Sequence, residues 1–125
     1  MPHYSRISKI LVDVPGPVHD AEVAFWEGAI GRSLPVFEGY PDFRGTALTS
    51  DGLGLIIQRI GAGAPRLHLD IHTSDLEAEV TRLEALGARR VRQSDDWWIM
   101  QDPAGLVFGV IPDRSLNETN AQRWE

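Results

Sequence analysis

Between positions 7 and 14 the chain alternates, with Ser8, Ile10, Val12 and Val14 on one side and Ile7, Lys9, Leu11 and Asp13 on the other. This period of two predicts a strand with one buried face. Residues 66 to 72 alternate in the same way. The period then changes: Leu76, Val80, Leu83 and Leu86 recur at helical intervals behind Ser74-Asp75-Leu76-Glu77, which has capping-box spacing, and Gly87 supplies a stop. A second helix is predicted from near Asp20 to Ile30, with Asp20 as its cap, Gly31 as its end, and Phe25 and Trp26 as packing residues. Short apolar runs broken by turn residues follow each helix, at roughly 34 to 38, 43 to 49 and 54 to 60, then 89 to 93, 97 to 101 and 106 to 111. Each half therefore reads βαβββ. Residues 113 to 125 are polar and aperiodic and predict a surface tail, with Trp124 as a residue able to dock.

The two halves are related in sequence as well as in pattern. Val12-Asp13-Val14 followed by Ala21-Glu22-Val23 recurs 57 residues later as Leu69-Asp70-Ile71 followed by Ala78-Glu79-Val80. At an offset of 51, the run from Asp51 to Ile60 aligns without a gap on the run from Asp102 to Ile111. Two matches in the same order point to a duplicated unit. The expected organisation is one α+β domain over residues 1–112, made of two tandem βαβββ modules at about 5–61 and about 64–112, with the tail at 113–125.

Composition narrows the chemistry. The 125 residues are 42% hydrophobic and 24% charged, ordinary for a globular protein that buries one core. A net charge of −6 supplies no basic footprint, so nucleic acid and anionic membrane surfaces are not expected partners. Cysteine is absent, which removes disulfides, thiolate metal sites and cysteine nucleophiles and leaves His, Asp, Glu and Gln for chemistry. The N-terminal stretch lacks a secretory pattern and no apolar run reaches membrane-spanning length, so the chain reads as cytoplasmic.

The duplicated unit, His68-Leu69-Asp70-Ile71, the helix ending Glu84-Ala85-Leu86-Gly87-Ala88 and the turn Asp102-Pro103-Ala104-Gly105 together resemble the vicinal oxygen chelate superfamily, in its glyoxalase-like and bleomycin resistance protein-like branch. The resemblance covers about residues 5–112. It implies a cupped, eight-stranded mixed sheet around a cavity, with the helices on the outer face. In metal-dependent members, such as glyoxalase I and the extradiol dioxygenases, ligands come from the first and last strand of each unit. The corresponding positions here are Leu11, Gln58, His68 and Gly109. Leucine and glycine cannot bind a metal, and Leu106 stands in the turn where asparagine is common, so the metal site is read as incomplete and no cofactor is expected.

If Asp102 to Gly105 form a four-residue turn, Gln101 lies opposite Leu106, and counting outward puts Trp98 opposite Gly109, with Met100 on the same face. The same count sets Ala47 opposite Gln58. The expected ligand-binding set is then Leu11, Gln58, His68, Asp70, Trp98, Met100 and Gly109, an apolar slot suited to a planar or aromatic molecule in the cavity between the modules. Repeat-related charges suggest the ion pairs Lys9 with Asp70 and Arg66 with Asp13, while His3, His19 and His72 are expected to be exposed and Arg89, Arg90 and Arg92 to pair with Asp95 and Asp96 in solvent. His68 is the best candidate for a catalytic group, and a hydrogen-bonded structural histidine is the competing reading. Three functions remain open. One is a metal-free small-molecule binder, for which the resemblance implies a homodimer. The second is a lyase, isomerase or dioxygenase of the glyoxalase type, metal-dependent or assisted by His68. The third is a scaffold without a ligand.

Overall fold

In the computed structural model, residues 2–125 are described. The elements run β1 (His3–Pro15), α1 (Gly16–Ile30), β2 (Val36–Phe37), β3 (Tyr40–Ala47), β4 (Gly54–Ile60), β5 (Arg66–Thr73), α2 (Leu76–Ala85), β6 (Arg89–Ser94), β7 (Trp97–Gln101), β8 (Val107–Pro112) and β9 (Gln122–Trp124). The βαβββ pattern occurs twice, as the repeat predicts. The chain forms two compact units, one of Lys9–His68 and one of the chain up to Ser8 together with Leu69–Glu125. Among the described residues no helix is long and apolar enough to cross a membrane.

In the Lys9–His68 unit the strands neighbour one another in the order β2, β3, β4, β1. β1 runs parallel to β4 in the register Leu11↔Ile56 and Asp13↔Gln58, and β4 is antiparallel to β3. Leu11 through Val14 are all buried, where alternation predicts one buried face. Val12, Val14, Leu55 and Ile57 form a core with Val23 and Leu34, against which Trp26 and Ile30 pack. Helix α1 begins four residues before Asp20, because extended Pro15 is its N-cap and Pro17 lies in its first turn, where a missing N–H leaves nothing unsatisfied. Gly31, in the left-handed conformation at φ 70°, ends the helix as expected. Trp26 packs, but Phe25 is exposed and meets only its edge, with ring centroids 5.1 Å apart. His19 is buried rather than exposed, its Nε2 3.3 Å from the Ile57 carbonyl oxygen.

In the second unit β5, β8, β7 and β6 are neighbours in that order. Val80 and Leu83 of α2 pack on Met100 and Val110, with Ile71, Leu76, Trp98 and Phe108 at the margin. The cap of α2 is Asp75, which accepts from the Ala78 amide at 3.1 Å, so the capping box does not form. Ser74 Oγ instead accepts from the Tyr4 amide at 2.8 Å. Leu86 falls outside the helix and is exposed. Arg90 reaches α2 rather than a solvated loop, donating to Glu77 at 2.7 Å and to Glu84 at 3.1 Å, with its guanidinium 5.0 Å from the Trp98 ring.

The segment expected as a surface tail instead supplies β9, antiparallel to the start of β1 with His3 opposite Trp124. Polar residues hide this strand from any hydrophobic pattern, because backbone pairing along β1 and one anchored ring hold it. Trp124 Nε1 donates to Ser5 Oγ at 2.9 Å, and the Arg82 guanidinium lies 3.8 Å from the ring centroid. Arg82 also grips the fully buried Glu79 with two bonds of 2.9 and 2.8 Å, and Glu79 takes a third from His3 at 2.7 Å. His3 is therefore buried, and His72 is likewise largely covered, bonded to Asp113 at 2.8 Å. Burial pushes the Glu79 carboxyl up, but bonds from Arg82, His3 and Ser5 and the charge of Arg82 outweigh it and hold the group below its ordinary value. For Asp113 burial is again the largest influence and again loses, here to bonds from Ser115 and His72.

Both carboxylates are depressed in the folded state, so their stabilisation is present above their ordinary values of 4.5 and 3.8 and disappears as pH falls through the lower folded values. Urea midpoints measured between neutral and acid pH should fall below about pH 4.5, and Glu79→Gln should flatten that fall while lowering the neutral midpoint. Two glycines separate backbone from packing effects. A methyl group at Gly28 in α1 would meet no atom within 4 Å, so Gly28→Ala should stabilise by about 0.5–1 kcal/mol in urea melts. At Gly45 a Cβ would sit 2.6 Å from the Leu55 carbonyl oxygen, so Gly45→Ala should destabilise by about 1–3 kcal/mol.

Candidate functional site

Each unit presents one sheet face to its helix and leaves the other free of helices. In the Lys9–His68 unit the helix-free face follows from register. Lys9, Leu11 and Asp13 of β1 lie beside Gly54, Ile56 and Gln58 of β4, which lie beside Ala47, Gly45 and Phe43 of β3. Phe43, not Ala47, is thus opposite Gln58, since Ala47 pairs with Gly54. Phe43, Gln58 and Asp13 make one row across three strands, about 10 Å from end to end at the usual strand spacing. The glycines here accommodate side chains lying flat. A Cβ on Gly54 would come 2.9 Å from Lys9 Cδ, and one on Gly45 would come 3.0 Å from the Phe37 ring. Phe37 meets Phe43 edge-on at 6.4 Å, and Tyr40, 46% exposed, stacks on Phe43 at 5.5 Å.

At the other end of the row stands Asp13, 1% exposed. Its Oδ2 accepts from His68 Nδ1 at 2.8 Å and faces Arg66 Nε at 3.3 Å, the ion pair anticipated from the repeat. A carboxylate only accepts, so the contact assigns the Nδ1 proton to the imidazole and fixes the ring's orientation. Asp13 Oδ1 is buried and has no hydrogen-bond partner among the described residues. A buried carboxylate oxygen left unbonded is costly, and such atoms concentrate where a ligand or water completes a site. Lys9 directs its ammonium to the Gly52 carbonyl oxygen at 3.4 Å.

The second unit repeats the register and changes the chemistry. Asp70 pairs with Gly109 across β5 and β8, the repeat-related counterparts of Asp13 and Gln58. A Cβ on Gly109 would collide with the Asp70 carboxylate, so the position needs glycine because Asp70 occupies the space a longer side chain would fill. Trp98 and Met100 do not join this face. The link from β7 to β8 holds five residues, with Asp102 Oδ1 accepting from the Ala104 and Leu106 amides at 3.0 and 2.8 Å. Gln101 consequently pairs with Val107, Trp98 with Val110 and Ile99 with Gly109. One residue of slip reverses every side chain. Trp98 and Met100 belong to the core under α2, and Ile99 shares the Gly109 face.

The four positions corresponding to a metal site do not fit one. Leu11 is a buried aliphatic residue, Gly109 has no donor, and His68 turns Nδ1 to Asp13. Among the described residues no three His, Asp or Glu side chains form a group that could hold a metal ion. Leu11 and Gln58 lie on this face with Asp13, to which His68 is bonded, and Phe43 takes the place opposite Gln58 that was expected of Ala47.

Two βαβββ units with the same parallel register in each define the glyoxalase-type α+β fold of the vicinal oxygen chelate superfamily. The chain matches the glyoxalase-like domain family over residues 9–111 and belongs to that family. Among solved structures, a hypothetical protein of Bacillus halodurans is 9% identical, with 91% of this chain and 98% of that one covered at a TM-score of 0.64. A methylmalonyl-CoA epimerase of Streptomyces coelicolor, solved with 2-nitronate-propionyl-CoA, is 19% identical over 90% and 99% at 0.56. An NAD-dependent benzaldehyde dehydrogenase of Legionella pneumophila is 12% identical over 83% and 96% at 0.59. These likenesses concern the fold. No curated protein matches the chain.

Asp13→Ala removes the acceptor shared by His68 and Arg66 and leaves a space in a buried strand. It should lower stability by on the order of 2–3 kcal/mol in urea unfolding, with Asp13→Asn costing less because the amide oxygen can still accept from His68. Equal losses in the two variants would show that the contact to His68 contributes nothing.

Proposed function

We propose that this protein binds a small planar molecule with an aromatic body on the helix-free face of the Lys9–His68 unit. The observation that carries the reading is Asp13, a buried carboxylate with one unbonded oxygen, standing in a single row with Gln58 and Phe43 and bonded to His68. Leu11 and Ile56 give the row an apolar floor, the Phe43 and Tyr40 rings offer stacking surface, and Gln58 adds a donor and an acceptor between ring and carboxylate. The mixture of apolar surface with few polar groups is typical of small-molecule sites. No metal or organic cofactor enters this reading, and neither nucleic acid nor a membrane is a partner. A cytoplasmic location suits a chain without cysteine, and a homodimer follows from the superfamily likeness.

A second reading has a specific observation behind it. The Asp13–His68 contact of 2.8 Å is the arrangement by which a carboxylate orients an imidazole and steadies its protonated form, so His68 could move a proton to or from a bound substrate. The epimerase that shares the fold makes a carbon acid beside a thioester the first substrate to try. With methylmalonyl-CoA in deuterated water, exchange that disappears in folded His68→Gln would support proton transfer, and its absence in the unaltered protein would leave binding alone.

Isothermal titration with naphthalene-based ligands and saturated analogues of similar size tests the binding reading. The aromatic ligands should bind more tightly, and Phe43→Ala should weaken them by about tenfold, a loss of about 1.4 kcal/mol, with little effect on the saturated ones. Indifference to aromaticity, or unchanged affinity in Phe43→Ala, counts against it.

A further inference from the structure

The cations beside this row point to the charge of the molecule it takes. Resting on the binding reading above, we infer that the ligand is an aromatic carboxylate whose anionic group is held by Arg66. On the helix-free face of the Lys9–His68 unit, one oxygen of Asp13 lies against both Arg66 and His68.

Among the arginines of its unit, Arg66 is the one that stands beside Asp13 with both terminal nitrogens uncommitted. Arg32 donates from Nη1 to the Ala47 carbonyl oxygen, and Arg59 divides its guanidinium between Asp42 and His19. Arg44 is opposite Ile57, on the helix side, and donates to the Leu34 carbonyl oxygen. Arg66 touches Asp13 through Nε alone, while its side chain is 59% exposed. Its two terminal nitrogens make no hydrogen bond among the described residues, and together they form the fork that matches a carboxylate. Asp13 thereby acts as a positioning residue: holding Nε, it aims the opposite edge of the guanidinium outward. The row that offers Gln58 and the stacked Phe43–Tyr40 pair ends at Asp13, so an anion on this fork would be held at the Asp13 end of the row.

A matched pair of probes, 2-naphthoate and 2-naphthamide, has the same ring and differs in charge. Titration calorimetry on the full chain should give naphthoate about tenfold the affinity of naphthamide, the scale of one charge-assisted contact. Arg66→Met should abolish the difference by weakening naphthoate alone. Arg66→Lys, which keeps a charge beside Asp13 should the first variant fold poorly, should retain only part of it, because an ammonium lacks the fork. Equal affinities for the two probes in the unaltered protein, or a preference that survives Arg66→Met, overturn the carboxylate assignment while leaving aromatic binding intact. If neither probe binds, this inference and the binding reading fall together.

Discussion

A carboxylate buried in a core strand is the constraint around which the first unit is arranged. Asp13 sits between Val12 and Val14, which belong to the core under α1, and directly beside Gln58 in the parallel pairing of β1 with β4. Charge in such a place survives only when partners meet it, and the partners are His68 and Arg66 at the start of β5. One oxygen is shared between them and the other has no bond among the described residues. The unit thus carries an incompletely satisfied polar group that packing alone does not account for.

The two units answer the same geometric question differently. Both place an aspartate of the leading strand beside a residue of the closing strand in parallel register, Asp13 with Gln58 and Asp70 with Gly109. In the first, the neighbour is an amide that extends from the sheet. In the second, glycine admits the Asp70 carboxylate over its own Cα. Duplication preserved the backbone pairing, while the side chains diverged from the donor set that metal-dependent relatives of this superfamily would need at these positions.

Polar networks also close the second unit. Trp124, Arg82, Glu79, His3 and Ser5 form a continuous chain of contacts from β9 through α2 to β1. Its net effect on Glu79 is to favour the ionised form despite full burial, because bonds from Arg82, His3 and Ser5 and the charge of Arg82 outweigh desolvation. The imidazoles of His3, His68 and His72 each meet a carboxylate, so histidine in this protein serves to hold segments distant in sequence.

Periodicity and the internal repeat sufficed for the element order, for the α+β class and for the equivalence of Asp13 with Asp70, since these depend on local spacing that the chain carries with it. The repeat also suggested the Arg66 ion pair with Asp13, while the grouping of Leu11, Gln58 and His68 came from the superfamily resemblance. Register did not follow. A five-residue link where four were counted moved Trp98 and Met100 from the expected site into the core under α2, and a similar miscount hid Phe43 behind Ala47. Loop hydrogen bonding around Asp102 decides that count, and spacing alone does not encode it. The strand of the C-terminal segment, the burial of His3 and His19 and the partial covering of His72 likewise rest on partners remote in sequence. Local pattern determines which segments extend or coil; only the folded chain decides which polar groups find one another.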